Sequence, residues 1–410
     1  MPRRILILGA GTGGTTMANR LVRSLPRDWE VTVVDRDDRH IYQPGLLFIP
    51  FGIYQPHEIV RSRRSFLAPE VGHVLGEVAH IEPDIRSVTL ADGRVLSWDV
   101  LIVATGARAD AGALSGLMGT GWRETQTDFY SMEGALAARE ALERLREGRL
   151  VVHIHDLPIT CPVAPMEFTF LAEAMLSNKG VRDDVDITFV TPLDGAFTKP
   201  VASRVLGGYL AQRGVELVAD FAAERVDGEA KQLVSYDGRT VDYDLLISTP
   251  VHRGDAAVER SGLGDELGFL PTDRHTLQSR IHPDIFAIGD CTDLPTSKAG
   301  SVAHFQSEVL TDNVLRHIEG RSLLPDFDGH AQCFIETGHD KAFLIDFSYE
   351  TEPLPGRYPL PGIGPFTLLE ESHANHWGKL GFKWVYWSQL LRGKDLPIPH
   401  GLELAGKWSA

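Results

Sequence analysis

Short apolar runs, each stopping at a small residue or an acid, recur along the chain. Ile5-Leu6-Ile7-Leu8 stops at Gly9, the run over residues 30–34 at Asp35, and Leu101-Ile102-Val103 at Ala104-Thr105-Gly106. Others cover residues 150–154, 186–190 and 243–249, and Asp284-Ile285-Phe286-Ala287-Ile288 stops at Gly289-Asp290. Runs without polar alternation predict strands buried on both faces, as in a parallel sheet. Stretches of helical period lie between them, over residues 15–25, 166–176 and from about Gly300. Asp92-Gly93 predicts the turn of a hairpin over residues 88–96. No apolar run reaches the roughly 18 residues that a spanning helix needs.

The first strand enters Gly9-Ala10-Gly11-Thr12-Gly13-Gly14, which fits G-x-G-x-x-G through Gly9, Gly11 and Gly14. Gly9 permits a tight turn, Gly11 lets the backbone approach a pyrophosphate, and Gly14 lets helix pack on strand. The helix start offers unpaired N–H groups, and Asp35 can accept from a ribose hydroxyl. Strand, glycines, helix, strand and acid arrive in the order a dinucleotide site needs. A second set of strands follows, but its first strand leads into His155-Asp156-Leu157-Pro158-Ile159-Thr160-Cys161-Pro162, without glycine. Side chains and prolines there keep the backbone away from a pyrophosphate, so a nicotinamide site is expected to be lost.

The fold class expected is therefore α/β, with two Rossmann-like dinucleotide-binding domains and a C-terminal amphipathic membrane-attachment region. The expected division is 1–110 and 271–325 for the two parts of the first domain, 111–270 for the second, and 326–410 for the C-terminal region.

The chain has 410 residues, 43% of them apolar and 23% charged, which is a globular composition. Forty basic against 56 acidic residues give a net charge of −16, which disfavours nucleic acid as a partner. Three cysteines exclude a disulfide scaffold. The charged start, MPRR, runs through a short apolar stretch straight into the glycine motif, so no signal peptide is expected. Charge and tryptophan are uneven. Four of seven tryptophans lie from Trp377 onward, with five basic residues against two acidic ones. Leu380, Trp384, Trp387 and Leu391 fall on one helical face, while Phe382 and Val385 lie off it and are expected to face inward. Tryptophan with basic flanks suits a bilayer interface.

The order of glycine motif, Ala104-Thr105-Gly106 and Gly289-Asp290 resembles the two-dinucleotide-domain flavoproteins of the disulfide-reductase-like group. That resemblance implies FAD, with Thr105, Gly106, Gly289 and Asp290 joining Gly9, Gly11, Gly14 and Asp35. Cys161 stands where the second glycine loop is missing, just before a helix whose dipole is expected to lower a thiol pKa. Cys161-Pro162-x-x-Pro165 with Glu167, Gly289-Asp290-Cys291-Thr292 leading to Lys298, Cys333-Phe334, and His376-Trp377-Gly378-Lys379 together resemble sulfide:quinone oxidoreductases over essentially the whole chain.

This second resemblance implies a redox pair of Cys161 and Cys333, with Glu167 as proton acceptor. It implies Lys298 at the cofactor and a quinone, ubiquinone or menaquinone, held by Phe334, Phe382 and Lys379. Residues 125–130 lack the cysteine that carries the flavin in many members, which favours non-covalent FAD. Cys291 is expected to be structural, and no metal site is expected. The partners implied are sulfide, quinone and a membrane surface, with a homo-oligomer allowed for, and the expected location is peripheral on the cytoplasmic membrane. The competing readings are a type II NADH:quinone oxidoreductase, the flavoprotein subunit of a sulfide dehydrogenase, and a non-catalytic FAD-binding redox sensor.

Overall fold

A computed structural model describes residues 2–408. Strand β1 (Arg3–Leu8) is followed by helix α1 (Thr12–Ser24), β2 (Trp29–Asp35), β3 (Gly72–Leu75) and β4 (Val100–Val103). The chain then builds a second unit from β5 (Gln126–Thr127), β6 (Gly148–Ile154), α2 (Ala164–Asn178), β7 (Val185–Val190), β8 (Val215–Val218) and β9 (Leu245–Thr249). It returns to the first sheet with β10 (Ile285–Ala287) and helix α3 (Gly300–Ile318). The two main sheets run β10-β4-β1-β2-β3 and β5-β9-β6-β7-β8, parallel throughout. Each puts its glycine-motif strand, or the equivalent β6, at the centre. Side chains on both faces of β1, β4 and β6 are buried, which is why these runs show no polar alternation. The hairpin strands Ser87–Leu90 and Val95–Ser97 form where the Asp92-Gly93 turn predicts them.

The C-terminal layer is a four-stranded sheet, β11 (Ala331–Gly338), β12 (Lys341–Phe347), β13 (Gly356–Leu360) and β14 (Gly364–Leu368), in the order β11-β12-β14-β13. Helix α4 (His373–Val385) packs on it. Ser372 caps that helix, its hydroxyl accepting the Asn375 N–H at 3.1 Å. One continuous apolar core joins Ile7, Ile102 and Phe286 of the first unit, Val152 and Ile187 of the second, and Ile335 and Trp387 of the C-terminal layer. The layer is thus part of the core and closes over the junction of the two units.

The expected single stripe of Leu380, Trp384, Trp387 and Leu391 does not form. Helix α4 passes into a π-helical turn, Tyr386–Leu390. The wider turn shifts the register of everything after it. Trp384 stays 66% exposed, Trp387 falls to 5%, and Leu391 is fully buried. Trp387 stacks on Phe66 at 5.0 Å and meets the His40 ring edge at 5.5 Å. The exposed tryptophans of α4 are instead Trp377 and Trp384, seven residues apart on one face. No described helix is long and apolar enough to cross a membrane.

Candidate functional site

The turn after β1 is a phosphate cradle. Gly9 adopts φ +96°, and its N–H donates to Val34 O at 2.8 Å. A Cβ on Gly14 would sit 1.9 Å from Gly9 O, so α1 can approach β1 only with glycine there. A Cβ on Gly11 would meet nothing within 4 Å, and no side chain caps α1. The first-turn N–H groups therefore face open space, as a bound pyrophosphate requires. Asp35 accepts from the Ala10 N–H at 2.7 Å and from Arg63 at 3.0 Å, which fixes the carboxylate at the end of β2. Thr105 Oγ1 is buried without a partner, and Gly106 takes φ +71° over open space. Gly289 donates to Gln306 at 2.7 Å, and Asp290 accepts from Thr160 at 3.0 Å. Burial pushes the Asp290 carboxyl up, against the pull of Lys298. The Lys298 ammonium donates to Asp290 O at 2.9 Å and Thr292 O at 2.6 Å. These bonds tie it to the turn, and it also lines the cavity described below. The open cradle and the unpartnered Thr105 hydroxyl fit a dinucleotide flavin.

The equivalent turn of the second unit is closed. Ile159, in this glycine-free loop, is buried. Cys161 holds φ +53°, a conformation costly for a side-chain-bearing residue. It is fixed there by its N–H to Lys298 O at 2.7 Å and by its carbonyl, which accepts the Ala164 N–H at 2.9 Å. The first of these bonds, with the Thr160 hydroxyl's bond to Asp290, ties the second unit's loop to the first unit's Asp290 turn.

A cavity of about 770 Å³ runs from Thr12 at the cradle past Tyr42, Pro44, Cys161 and Cys333 to Phe382 and Trp384. Cys161 and Cys333 come to this one cavity from α2's approach and from β11, as free thiols. The expected lowering of the Cys161 thiol pKa is reversed. Burial pushes the thiol up, Glu167 adds to that, and Lys379 opposes it. At the helix start it is the Cys161 carbonyl that accepts the Ala164 N–H, at 2.9 Å. Burial likewise pushes Cys333 up to about 12. Cys291 lies elsewhere, buried in the core beneath β4, its thiol donating to Val103 O at 3.2 Å.

Glu167 is fully buried on the first turn of α2. Its Oε1 accepts from Lys379 Nζ at 2.6 Å and from the Glu336 N–H at 2.8 Å, while Oε2 has no partner. Burial raises its pKa, and the Lys379 charge only partly offsets this. Lys379 also donates to Phe334 O at 3.0 Å. Burial works against its charge, but Glu167, Cys161 and Glu336 outweigh that and hold its pKa above the usual lysine value. An ion pair so deep owes its place to chemistry more than to stability, since desolvation cancels most of its attraction.

Phe334 and Phe382 line the same cavity, with Phe334 meeting Phe366 edge-on at 5.5 Å and Phe382 lying 6.4 Å from Tyr386. Three groups at the site carry no role in the sequence reading, although one of them, His376, stands in the quoted His376–Lys379 motif. Tyr386 bridges Thr12 at 2.7 Å and His40 at 2.6 Å, tying the C-terminal layer to the cradle. Glu336 is buried beside Glu167, and His376 Nδ1 lies 3.0 Å from it. The spacing Cys333-x-x-Glu336 on one strand, and His376-x-x-Lys379 on one helix, is the signal that points to this pair.

Two nucleotide folds, one cradle and a paired-thiol cavity define the class. The chain belongs to the pyridine nucleotide-disulphide oxidoreductase family, whose model matches residues 3–191 and 171–307. Within that class it is similar to mitochondrial sulfide:quinone oxidoreductases. The Mus musculus protein is 28% identical over 397 residues, covering 95% of this chain and 86% of that one. The Schizosaccharomyces pombe protein is 26% identical, covering 95% of this chain and 90% of that one. The crystal structure of the sulfide:quinone oxidoreductase from Aquifex aeolicus superposes with a TM-score of 0.78 at 19% identity, over 96% of this chain and 92% of that one.

Proposed function

We propose that this chain oxidises sulfide to sulfane sulfur through Cys161 and Cys333 and passes the electrons to a membrane quinone. The observation that carries the reading is the cavity itself. Two thiols 172 positions apart in sequence line it together, beside a buried carboxylate–ammonium pair and next to a dinucleotide cradle. The named relatives support the same substrate pair.

In the oxidised site the two sulfurs are joined, directly or through an added sulfur. Hydrosulfide attacks one of them. A new S–S bond forms as the bridging bond breaks, and the other cysteine leaves as thiolate. Lys379 is the positive charge that stabilises that thiolate against burial. Glu167 Oε2, unpartnered and with a raised pKa, takes the proton of the new persulfide. FAD, held without a covalent bond by Gly9, Gly11, Gly14, Asp35, Thr105, Gly106, Gly289 and Asp290, supplies the two-electron acceptor and the route to quinone.

Phe334 and Phe382 flank the quinone ring, ubiquinone or menaquinone, with Lys379 at its edge. The protein binds the membrane peripherally through the face that carries Trp377 and Trp384, both about two-thirds exposed, so that the cavity opens toward lipid. Residues 1–110 and 271–325 act as the FAD domain, 111–270 as the second nucleotide fold, and 326–410 as the quinone and membrane region.

Anaerobic titration of the purified holoprotein tests this. Sulfide is expected to bleach the flavin promptly, and NADH is not. Cys161→Ser and Cys333→Ser are each expected to slow bleaching on the order of 10³-fold or more, while dithionite still reduces both. An oxidised spectrum unchanged at saturating sulfide removes the reading.

A further inference from the structure

The chain carries a net charge of −16, yet four exposed cations gather where α4 ends. Arg61 lies over the Trp387 ring, 4.7 Å from its centroid, and Arg392 over the Phe66 ring at 5.2 Å. The two rings stack on each other at 5.0 Å. Arg23, in the last turn of α1, donates to the carbonyl of Arg392 at 2.9 Å and to that of Gly393. Lys394 follows two residues on from Arg392. Arg23, Arg61, Arg392 and Lys394 are all exposed, and among the described residues none has a carboxylate oxygen within 4.0 Å. The neighbouring carboxylates have other partners. Arg20 holds Asp395 at 2.9 Å, Lys383 holds Glu58 at 3.5 Å, Arg63 holds Asp37 at 3.5 Å, and the Ser62 hydroxyl donates to Asp38 at 2.6 Å.

A guanidinium lying on an aromatic ring keeps its charge and can still offer its N–H groups to a phosphate oxygen. Arg61 and Arg392 meet rings and not each other, so the set does not close round one small anion. It presents separate charges over a surface, which is what an array of lipid headgroups requires. The position agrees with this. Trp387 stands three residues past Trp384, which is 66% exposed, and the π-helical turn leads from there toward Arg392. The four cations thus continue the tryptophan face of α4. A body of net negative charge is repelled by an anionic bilayer, and a local positive region decides which face turns toward it.

We propose that Arg23, Arg61, Arg392 and Lys394 form a cationic collar that takes the phosphate groups of anionic phospholipid and seats the tryptophan face of α4 on the bilayer. The proposal rests on the membrane reading above and adds the headgroup chemistry to it. Exposed tryptophan favours the interface whatever charge the headgroups carry. The collar supplies a preference for acidic lipid. It draws Arg23 and Arg61 from the first unit and Arg392 and Lys394 from the C-terminal region, so the lipid contact spans the seam between them.

The test is co-sedimentation of the holoprotein with vesicles of phosphatidylcholine alone and of phosphatidylcholine mixed with phosphatidylglycerol. The wild type is expected to bind the mixed vesicles more tightly, on the order of 100-fold, an advantage that raised salt removes. Inorganic phosphate at matched ionic strength should not compete, which separates a bilayer from a free-anion site. Arg61→Gln combined with Arg392→Gln should weaken binding to the mixed vesicles on the order of 20-fold and leave binding to phosphatidylcholine alone unchanged. Lys394→Gln, which disturbs no ring contact, should cost about fivefold. Melting temperatures show whether each variant folds, and if the double variant does not, Lys394→Gln decides. A wild type that binds both vesicles equally, folded variants that keep its full preference, or competition by free phosphate overturns the collar alone. A wild type that binds neither vesicle overturns the membrane reading and the collar with it.

Discussion

Two five-stranded parallel sheets of equivalent strand order stand in this chain, and their central strands end in opposite ways. After β1 the backbone turns through Gly9 and leaves the start of α1 uncovered. After β6 the turn is filled by Ile159 and closed by Cys161, whose carbonyl already occupies the start of α2. One scaffold geometry thus presents N–H groups to a phosphate in the first unit and a thiol to a cavity in the second. The comparison shows that a nucleotide fold keeps its sheet when its phosphate loop is gone, because the sheet is held by apolar burial and the loop contributes little to it. It also leaves two cysteines, Cys161 and Cys333, lining the cavity beside the first unit's cradle, and on the function proposed above these would be where electrons enter.

The sharpest way to break this contrast is to close the first cradle as the second is closed. Gly11→Ala adds a methyl group into empty space, with no protein atom within 4 Å. The fold should be indifferent to it, but a bound pyrophosphate should not. FAD affinity is expected to fall on the order of 100-fold, about 3 kcal/mol, with the melting temperature of the apoprotein unchanged. Flavin content after purification and apoprotein melting check the two halves. Gly14→Ala should fail both, since its Cβ would meet Gly9 O at 1.9 Å.

The second unit's site is best probed through its charge pair. Lys379→Met leaves Glu167 buried without its cation. Removing one member of such a pair costs about 3–5 kcal/mol if the other stays charged, so Glu167 will instead hold its proton. Its folded pKa, already raised by burial, rises further above the unfolded value of about 4. The unfolded chain then gives up that proton more readily than the folded one. The variant's stability should therefore be nearly intact in acid and fall as pH climbs past the unfolded value, until the folded pKa is reached. Denaturant midpoints across pH, against the wild type, show this slope. A variant equally destabilised at every pH would mean that Lys379 acts by packing.

How far this contrast was legible in sequence depends on the kind of signal. The strands of both sheets are buried on both faces, so their composition marks them. Gly9 and Gly14 are visible because only glycine meets the steric demands of the turn, Gly11 because a side chain there would stand where a pyrophosphate is expected, and the closed loop because proline and isoleucine replace glycine. Cys161, Cys333, Glu167 and Lys379 were singled out by resemblance, and the structure brings all four to one cavity. The direction of the Cys161 pKa was misjudged because sequence shows the nearby helix but not the burial that outweighs it. Glu336 is not legible in sequence because nothing in a strand's alternation says that a glutamate on the inner face is sealed from water, and His376, although part of the quoted motif, has no visible role until Glu336 is placed beside it. The face of the C-terminal helix was misdrawn for a local reason. A period of 3.6 cannot anticipate the π-turn at Tyr386–Leu390, which resets the register at Leu391, nor the packing of Trp387 on Phe66 that buries it before that point.

That misdrawn face yields the smallest expected effect and the finest test of where the cavity opens. A nicotinamide would approach over the second sheet, whereas a lipid-soluble acceptor must enter from the side framed by α4. Trp377 and Trp384 are 67% and 66% exposed there, while Trp387 is 5% exposed and stacked on Phe66. Replacing Trp377 or Trp384 by Ser removes an aromatic surface from solvent contact and disturbs little packing. Each should weaken partition onto phospholipid vesicles by about 1–2 kcal/mol, with unfolding unchanged. Trp387→Ser should do the reverse, costing about 3–5 kcal/mol of stability as a core cavity and leaving vesicle binding of the folded protein intact. Vesicle co-sedimentation beside thermal unfolding separates the two. If all three tryptophans behave alike in both measurements, this helix is not divided into a lipid-facing half and a core half, and the proposed entry of quinone from the α4 side fails.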